Sequence, residues 1–364
     1  MESQKSALWR WFQFVSVSLM TVVALSCVPV VTPATTTTAP PTSTTTITST
    51  STTSTTVLPV LVLSGATQIS ARQTHSCALV AAGAVKCWGY NSSGQLGNGS
   101  NIDSNVPVDV LGVSGATQVA GGNSHSCAVV TAGAVKCWGT NLSGQLGNGT
   151  LNKSNVPVDV VGLTAATQIS AGAYQSCALL AAGAAKCWGT NSSGQLGNGS
   201  NIDSNVPVDV VGVSGATQIA GGNSHSCAVV AGGAVKCWGY NSHGQFGIGT
   251  LNKSNVPVDV VGLTAATQIS AGAYHSCASV AGGAVKCWGT NFSGQLGNGS
   301  NNASYVPADV VGVSGASQIS AAGYHSCALV AAGAVKCWGS NSSGQLGNRS
   351  NSDSNIPVYV SPGT

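Results

Sequence analysis

Cysteine and histidine recur in this sequence at spacings that could build either metal sites or disulfide bonds. Twelve of the thirteen cysteines form pairs ten residues apart, beginning with Cys77 and Cys87, and in five of six copies a histidine such as His75 stands two residues before the first cysteine. Structural zinc sites use four ligands, and the repeat offers no consistent fourth one. The third copy also has Gln175 in place of the histidine. No metal and no cofactor are therefore expected, and disulfide formation is the favoured chemistry.

Each cysteine pair is predicted to close across a β-hairpin. With a turn centred on Ala82, Cys77 and Cys87 lie opposite each other on adjacent strands, and opposed residues approach to about 4.5 to 5.5 Å, the range that a disulfide needs. An exported chain reaches an oxidising compartment in which such bonds persist. The six expected disulfides are Cys77–Cys87, Cys127–Cys137, Cys177–Cys187, Cys227–Cys237, Cys277–Cys287 and Cys327–Cys337.

The sequence carries none of the familiar catalytic signatures. It contains no H-E-x-x-H, no G-x-S-x-G, no phosphate-binding P-loop and no G-x-G-x-x-G. Five of its nine acidic residues are aspartates at one repeated position, and no unusual residue set interrupts the repeat. We therefore expect no catalytic residues. Only 6% of the residues are charged and the formal net charge is +3, too weak a positive charge to predict nucleic acid as a partner.

A repeat of 50 residues, which begins near residue 63 and contains no insertions, must position these side chains. One copy reads as four short β segments at 66–70, 75–80, 84–89 and 106–110, with a Gly-containing turn between the second and third. Four short strands per repeat, repeated six times, predict an all-β fold, a β-propeller of six four-stranded blades. A parallel β-helix is the rival architecture, but its rungs are shorter and lack such a hairpin.

Each copy follows the pattern H-S-C-A-L-V-x-x-G-A-V-K-C-W-G-x-N-x-x-G-Q-L-G-N-G. This pattern resembles the regulator of chromosome condensation repeat, which runs His, Ala-Leu, Gly, Trp-Gly, Asn and Gly-Gln-Leu-Gly. The double glycine of kelch repeats and the Trp-Asp of WD repeats are both missing. The resemblance covers essentially everything after residue 56. Together with the N-terminal segment described below, it predicts an exported bacterial member of the family. Family members are usually seven-bladed, so it leaves room for a seven-blade-like arrangement, although the sequence shows six copies.

The other recurring residues are expected to hold the fold together. The resemblance favours histidines that bond a neighbouring turn over histidines that bind a ligand in a channel. The recurring tryptophans, such as Trp88, are expected to pack between blades rather than to stack against sugars. A lysine such as Lys86 can cover the indole with its alkyl stem and reach an aspartate such as Asp109. Tyr359 takes the aspartate position in the last copy and is expected to mark the closing seam.

The first 26 residues are predicted to be a signal peptide or a signal anchor. Lys5 and Arg10 supply a positive start, and the apolar run that follows is short for a membrane span. Cys27 stands directly after this run, in a context that resembles the lipobox of bacterial lipoproteins, and is the expected lipidation site. Cleaved soluble export and an uncleaved signal anchor are the alternatives.

Residues 27–56 are predicted to be a stalk and residues 57–364 the propeller. The stalk is rich in Thr, Ser and Pro, a composition that cannot bury a core. Segments 57–62 and 356–360 both resemble the fourth strand of a blade. We expect one of them to complete the blade that holds the opposite terminus, since strand exchange leaves no exposed sheet edge.

The loops that follow the tryptophans vary most between copies and are the predicted ligand-binding region. A second variable tract alternates between an acidic version, as at Asp103, and a basic version, as at Lys153, with a superperiod of 100 residues. The candidate ligand-binding residues are Asn91, Asn101, Asp103, Asn141, Lys153, Asn191, Asp203, Asn241, His243, Lys253, Asn291 and Phe292.

The sequence therefore predicts an extracellular or cell-envelope binding module held at the membrane by a lipid or a signal anchor. The expected partner is a protein, and a monomer is expected. A glycan partner and a structural or adhesive role are the alternatives. By analogy the resemblance also implies nucleotide exchange on a small GTPase and chromatin binding. Export and the near-neutral charge argue against both roles.

Overall fold

The computed structural model describes residues 63–361. The predicted signal segment, Cys27, the stalk and segment 57–62 lie outside the described residues, so those expectations stay predictions. Within the described range the chain forms six four-stranded antiparallel sheets in which consecutive strands are neighbours. This is a six-bladed β-propeller with one blade per repeat, as the sequence predicts.

The strands are short and recur at nearly the same positions in every repeat. They are numbered in chain order, four to a blade: blade 1 β1 Gln68–Ala71, β2 His75–Val80, β3 Ala84–Gly89, β4 Ser104–Asp109; blade 2 β5 Gln118–Gly121, β6 His125–Val129, β7 Val135–Gly139, β8 Ser154–Asp159; blade 3 β9 Ala166–Ala171, β10 Gln175–Leu180, β11 Ala185–Gly189, β12 Ser204–Asp209; blade 4 β13 Gln218–Gly221, β14 His225–Val229, β15 Val235–Gly239, β16 Ser254–Asp259; blade 5 β17 Ala266–Ala271, β18 His275–Val280, β19 Val285–Gly289, β20 Ser304–Asp309; blade 6 β21 Gln318–Ala321, β22 His325–Leu329, β23 Val335–Gly339, β24 Ser354–Tyr359. Single 3₁₀ turns link the second and third strands of four blades at Ala81–Gly83, Thr131–Gly133, Ala231–Gly233 and Ala331–Gly333.

The hairpin between the second and third strands sets the register of each blade. In blade 1 the turn places Ala82 at φ +59° and Gly83 at φ +70°, a left-handed conformation that lets the chain reverse tightly. Cys77 then pairs with Cys87 and Leu79 with Val85.

All six predicted disulfides are present, with Cα atoms 4.0 to 4.1 Å apart. The two cysteine sulfurs that a metal site in each repeat would use are therefore bonded to each other. Each disulfide closes a loop of only ten residues, so its contribution to stability is at most about 3 kcal/mol.

The fourth strand of each blade joins the sheet through a bulge. In blade 1, Cys87 pairs with Val108 and Gly89 pairs with Ser104, so the extra residues lie on β4. Pro107 falls in this stretch, where its missing N–H costs no ladder bond. The last strand of every sheet is thus an edge strand, with exposed or half-buried side chains.

The hydrophobic core lies between the blades. Between blades 1 and 2, Leu96, Val110 and Val113 of the first blade pack with Trp138 of the second, and four further clusters of this kind follow round the ring. The indole Nε1 also donates to the carbonyl oxygen of Gln95, 2.8 Å away. The predicted packing between blades is thereby confirmed for the five tryptophans that have no exposed surface, Trp138, Trp188, Trp238, Trp288 and Trp338.

The junction between blade 6 and blade 1, which we call the seam, lacks these contacts among the described residues. Trp88 is only half-buried and Gln345 is exposed, and neither makes the indole–carbonyl bond found at the other five junctions. Ile69 of blade 1 is 66% exposed, whereas the equivalent Ile169 of blade 3 is 2% exposed. The first and last blades therefore each present an unpaired face.

The expected exchange of a terminal strand is wrong for the C-terminal segment. β24, which contains most of segment 356–360, completes blade 6, the blade of its own repeat, and β4 likewise completes blade 1. In each repeat the first three strands already form a sheet, and the third strand has a free edge. The next segment in the chain is the nearest strand that can pair with this edge, so it becomes the fourth strand. Tyr359 does lie in the blade next to the seam, where Lys336 Nζ sits 4.5 Å from the centre of its ring.

We predict that limited reduction opens the Cys327–Cys337 disulfide before the others. Cys327 is half-buried at the seam, whereas Cys177 and Cys187 in the middle of the ring are 0% exposed. Reductant reaches an exposed disulfide more readily. Brief reduction of the native protein, alkylation and peptide mapping should find the first label on Cys327 and Cys337. Equal labelling of all pairs, or earlier labelling of Cys177 and Cys187, would contradict this expectation.

Candidate functional site

The variable loops of each blade lie on one face of the propeller, which we call the loop face. It is formed by the turns between first and second strands and by the long loops between third and fourth strands. Gly89, at φ +112°, ends β3 so close to this turn that a Cβ atom there would lie 2.5 Å from Thr74 O. The next residue then bonds the turn, with Tyr90 N donating to Thr74 O at 2.9 Å. Positions equivalent to 74 and 90 are therefore neighbours in every blade.

Five of the predicted ligand-binding asparagines lie inside the loops instead of on their surface. Asn91 Nδ2 donates to the carbonyl oxygens of Ser100 and Ile102 at 3.0 Å, and its Oδ1 accepts from Leu96 N at 2.9 Å. The same arrangement recurs in each blade, and the side chains are fully buried at Asn91, Asn141, Asn191, Asn241 and Asn291. Because a buried amide needs internal partners, these asparagines hold the loops and offer no contact to a ligand. The structure corrects the sequence expectation at these five positions.

The acidic and basic candidates lie at equivalent exposed positions of the long loops in blades 1 to 4. Asp103 and Asp203 each accept a hydrogen bond of 2.7 Å from the backbone N–H of the buried asparagine in the same loop. Lys153 and Lys253 are exposed. The alternation of charge along the loop face is therefore real. The aspartates also have a local structural role.

Asn101 is exposed and joins two blades. Its Nδ2 donates to Ser92 O at 3.2 Å, and its Oδ1 accepts from Asn155 Nδ2 of blade 2 at 3.1 Å. Like the loop aspartates, it therefore combines surface exposure with a structural bond.

Two of the candidates, His243 and Phe292, belong to a cluster of rings on blades 4 to 6. The His243 ring lies 5.8 Å from Tyr240 and 4.8 Å from Tyr274, and Tyr274 lies 6.0 Å from Tyr324, centre to centre. Together with Phe292 these residues line an open pocket with a volume of about 560 Å³. We call this set the aromatic surface: Tyr240, His243, Tyr274, Phe292 and Tyr324.

Sequence reasoning missed the three tyrosines of the aromatic surface. Tyr274 and Tyr324 share with Tyr174 a position where the other three repeats have serine or threonine. Tyr240 shares with Tyr90 a position where the other four repeats have threonine or serine. That departure from the repeat was the available signal. It was overlooked because these tyrosines lie in the turn before the second strand and at the very start of the long loop, outside the tract that varies most.

The recurring histidines connect neighbouring blades. His75 Nε2 lies 2.8 Å from Ser126 Oγ of blade 2, and three other histidines make the same contact of 2.8 to 2.9 Å with the next blade. The sequence analysis expected each histidine to bond a neighbouring turn, whereas in the structure the ring bonds a serine of the next blade. In repeat three, Gln175 Nε2 donates instead to Gly222 O at 3.0 Å.

These histidines are held neutral by their surroundings. Burial, with a further contribution from the nearby Arg72, lowers the pKa of His75 to about 4. Burial is also the main cause that lowers the pKa of His125, His225 and His275 to about 3. A proton on any of these rings would be desolvated, so the histidines contribute to the packing of the blades as uncharged groups.

The lysines and aspartates of the repeat form one surface ion pair in each of the first five blades. The Lys Nζ to Asp Oδ1 distances are 2.6 to 2.7 Å. The aspartates are largely exposed, and such pairs contribute little to stability. These residues lie on the third and fourth strands and take no part in the aromatic surface.

The chain is a β-propeller in which the strands and buried residues recur in every repeat, whereas the exposed side chains of the loop face differ between repeats. The sequence matches the family described as "Regulator of chromosome condensation (RCC1) repeat" over residues 82–129, 132–179, 186–229, 233–279, 283–329 and 332–364. A second description of the same repeat matches residues 66–95, 116–145, 166–195, 216–245, 266–295 and 316–345. The chain belongs to the RCC1 repeat family.

Several solved structures share the fold. The chain is similar to Prp20p from Saccharomyces cerevisiae, at 21% identity and a TM-score of 0.73, over 81% of this chain and 76% of that one. Yeast RCC1 (Prp20) bound to Kap60 is similar at 21% identity and a TM-score of 0.72, over 81% and 74%. Human WBSCR16 is 23% identical with a TM-score of 0.73, over 81% and 82%.

No curated protein sequence matches the chain. The helical turns within residues 63–361 are all too short to serve as membrane spans.

We predict that acid destabilises the folded protein below about pH 6.5. Histidines in the unfolded chain have a pKa near 6.5, whereas the folded pKa values of His75 and His125 are about 4 and about 3. Between these values the unfolded state binds more protons, so the free energy of unfolding falls as the pH falls and is constant above about pH 7.5. Each histidine contributes up to about 1.4 kcal/mol per pH unit.

Urea denaturation at several pH values between 7.5 and 4.5, with the disulfides intact, measures this dependence. The control is a variant with glutamine at positions 75, 125, 225 and 275, since Gln175 shows that the repeat accepts glutamine there. The pH dependence of the control should be much flatter. Equal slopes for the two proteins would show that the histidines are not responsible.

Proposed function

We propose that this chain is an exported binding propeller, anchored at the cell envelope, that recognises another protein through its aromatic surface. The observation that carries the proposal is the concentration of five ring side chains on blades 4 to 6, where they line one pocket. Phe292 is 79% exposed and Tyr324 is 51% exposed, and both line the pocket of about 560 Å³. Exposed apolar groups that gather in one place typically mark an interaction site.

The chemistry of the aromatic surface suits a protein partner. Tyrosine and phenylalanine are enriched in the central parts of protein interfaces, where they bury a large area at little cost in conformational entropy. The aromatic surface contains no lysine, arginine, aspartate or glutamate. We therefore expect the partner to insert an apolar or aromatic side chain between Phe292 and Tyr324.

Two other functions are less well supported. Aromatic rings also stack on sugars, but the tryptophans of blades 2 to 6 are fully buried and only tyrosine, phenylalanine and histidine remain for that purpose. Nucleotide exchange is suggested by family analogy alone, and fold does not imply function. We propose a non-catalytic role, because the aromatic surface brings together no nucleophile, base and acid in a recognisable catalytic arrangement.

We predict that Phe292→Ser and Tyr324→Ser each weaken partner binding by about tenfold or more, since loss of a central aromatic contact costs above about 1.4 kcal/mol. Serine is the residue of other repeats at both positions, as at Ser92 and Ser124, so the fold should persist. A partner captured from the envelope proteins of the producing cell is purified, and its dissociation constant is measured for each variant.

Leu142→Ser is the matched control for these variants. Leu142 is 83% exposed and occupies in blade 2 the position of Phe292 in blade 5, so its loss should leave binding unchanged. Equal weakening by Leu142→Ser, or no weakening by Phe292→Ser, would place the interface elsewhere. Binding to a glycan array that Phe292→Ser abolishes would replace the protein partner by a sugar.

We predict that labelled palmitate enters the wild-type chain and not Cys27→Ser, and that globomycin blocks processing. The support is the position of Cys27 directly after an apolar run, where a lipidated cysteine anchors an exported chain. A released, unlabelled chain would indicate soluble export. An unlabelled chain of full length in the membrane would indicate a signal anchor.

A further inference from the structure

The central channel of the propeller contains a charged side chain that the repeat does not predict. The channel has a volume of about 510 Å³ and is lined by residues of the first strands and the turns that follow them. Arg72 lies in this lining. The equivalent position in the other five repeats is glycine or alanine: Gly122, Gly172, Gly222, Gly272 and Ala322. Arg72 is therefore a departure from the repeat at the place where all blades converge.

The guanidinium of Arg72 is fixed across the channel. Nε donates to Gly121 O at 3.0 Å, and Nη2 donates to Ala171 O at 2.6 Å and to Gly221 O at 3.0 Å. These three carbonyls belong to blades 2, 3 and 4, so the cation is held near the centre of the ring. Close packing lowers the pKa of Arg72 through desolvation, yet a guanidinium stays protonated in proteins.

The positive charge of Arg72 has no carboxylate partner among residues 63–361. Every aspartate in that range lies on a fourth strand or in the loop before it, and none lines the channel. The aspartates at the end of the fourth strands of blades 1 to 5 bind lysines on the third strands. Arg72 is half-buried, and a partly desolvated charge without an opposite charge is unfavourable, so an anion in the channel would be stabilised.

The rest of the polar lining also offers hydrogen-bond donors. The side-chain Oε1 atoms of five glutamines accept backbone N–H bonds of 2.5 to 2.9 Å from the next blade. Their Nε2 groups have no partner among the described residues and are left to face the channel, which these glutamines line: Gln68, Gln118, Gln168, Gln218 and Gln268.

Three serines add hydroxyl donors to this lining. Ser70, Ser170 and Ser270 each accept a backbone N–H through Oγ at 2.8 to 2.9 Å. Because an accepting hydroxyl keeps its own hydrogen, each serine can donate into the channel.

We propose that the central channel binds a small oxyanion beside Arg72. The guanidinium supplies the charge and a free edge for hydrogen bonding, and the amide and hydroxyl groups supply neutral donors around it. Charge-assisted bonds from arginine to oxyanions are among the stronger hydrogen bonds in proteins, and the volume accommodates an ion of the size of phosphate or citrate. This site is separate from the aromatic surface. The channel and the pocket beside the aromatic surface have only Ala273 and Asn223 in common in their linings.

The test is calorimetric titration of the full chain with inorganic phosphate, sulfate and citrate, with thermal unfolding in the same anions against chloride at equal ionic strength. We expect saturable binding of at least one oxyanion and a matching rise in the melting temperature, because a ligand that binds only the folded state stabilises it. Arg72→Gly should weaken binding about tenfold or more. Glycine is the residue of four other repeats at this position, so the variant should fold.

Arg349→Gly is the matched control. Arg349 also replaces a repeat glycine, as at Gly99, but does not line the channel, so its loss should leave anion binding unchanged. A second variant, Ser170→Ala, copies Ala120 and Ala220 of other repeats and should weaken binding several-fold.

Three results would overturn the proposal: no saturable binding of any of the three ions, equal binding by wild type and Arg72→Gly, or equal weakening by Arg349→Gly. A preference for phosphate and sulfate over citrate would identify a tetrahedral oxyanion. The reverse preference would identify a carboxylate.

Discussion

The propeller depends on one contact: in blades 2 to 6, a tryptophan packs against the preceding blade. The indole fills the space between two sheets, and its Nε1 reaches a glutamine carbonyl in the long loop of the preceding blade. A serine of the same blade donates to that carbonyl as well, so the buried polar groups are satisfied where the apolar surface is largest. Each blade therefore stabilises the loop of its neighbour, and the stability of the ring is a sum of similar neighbouring interfaces.

This arrangement explains how the loop face can vary without loss of the fold. The buried asparagine of each long loop, such as Asn141, satisfies the loop's own backbone, and the next blade's tryptophan holds the glutamine four residues later. Other positions of the loop, such as Leu142 and Leu151, are exposed and are free to change. The aromatic surface occupies such positions, so its rings stand on a rigid support, which lowers the entropic cost of binding.

Departures from the repeat are concentrated at a few places. At the seam the first and last blades lack an interblade partner among the described residues, and their exposed side chains, such as Ile69, are the same residue types that are buried elsewhere. In the channel, Arg72 stands where the repeat has glycine or alanine. In a repeat protein the shared residues serve the frame, and the residues that differ are free to serve a function.

The sequence by itself determined the fold class, the six repeats, the hairpin register and the six disulfides, because these depend on local spacing and on a period of 50 residues. The structure decided that the six repeats form six blades. Tertiary structure alone decided which polar loop residues are accessible. Asn91 and Asn101 look alike in sequence, but the loop folds back around Asn91 and buries it. The approach of His243 to Tyr274, and of Arg72 to carbonyls of three blades, also joins residues distant in the chain. The period identifies equivalent positions, but only the packing of blades in space shows which of them meet.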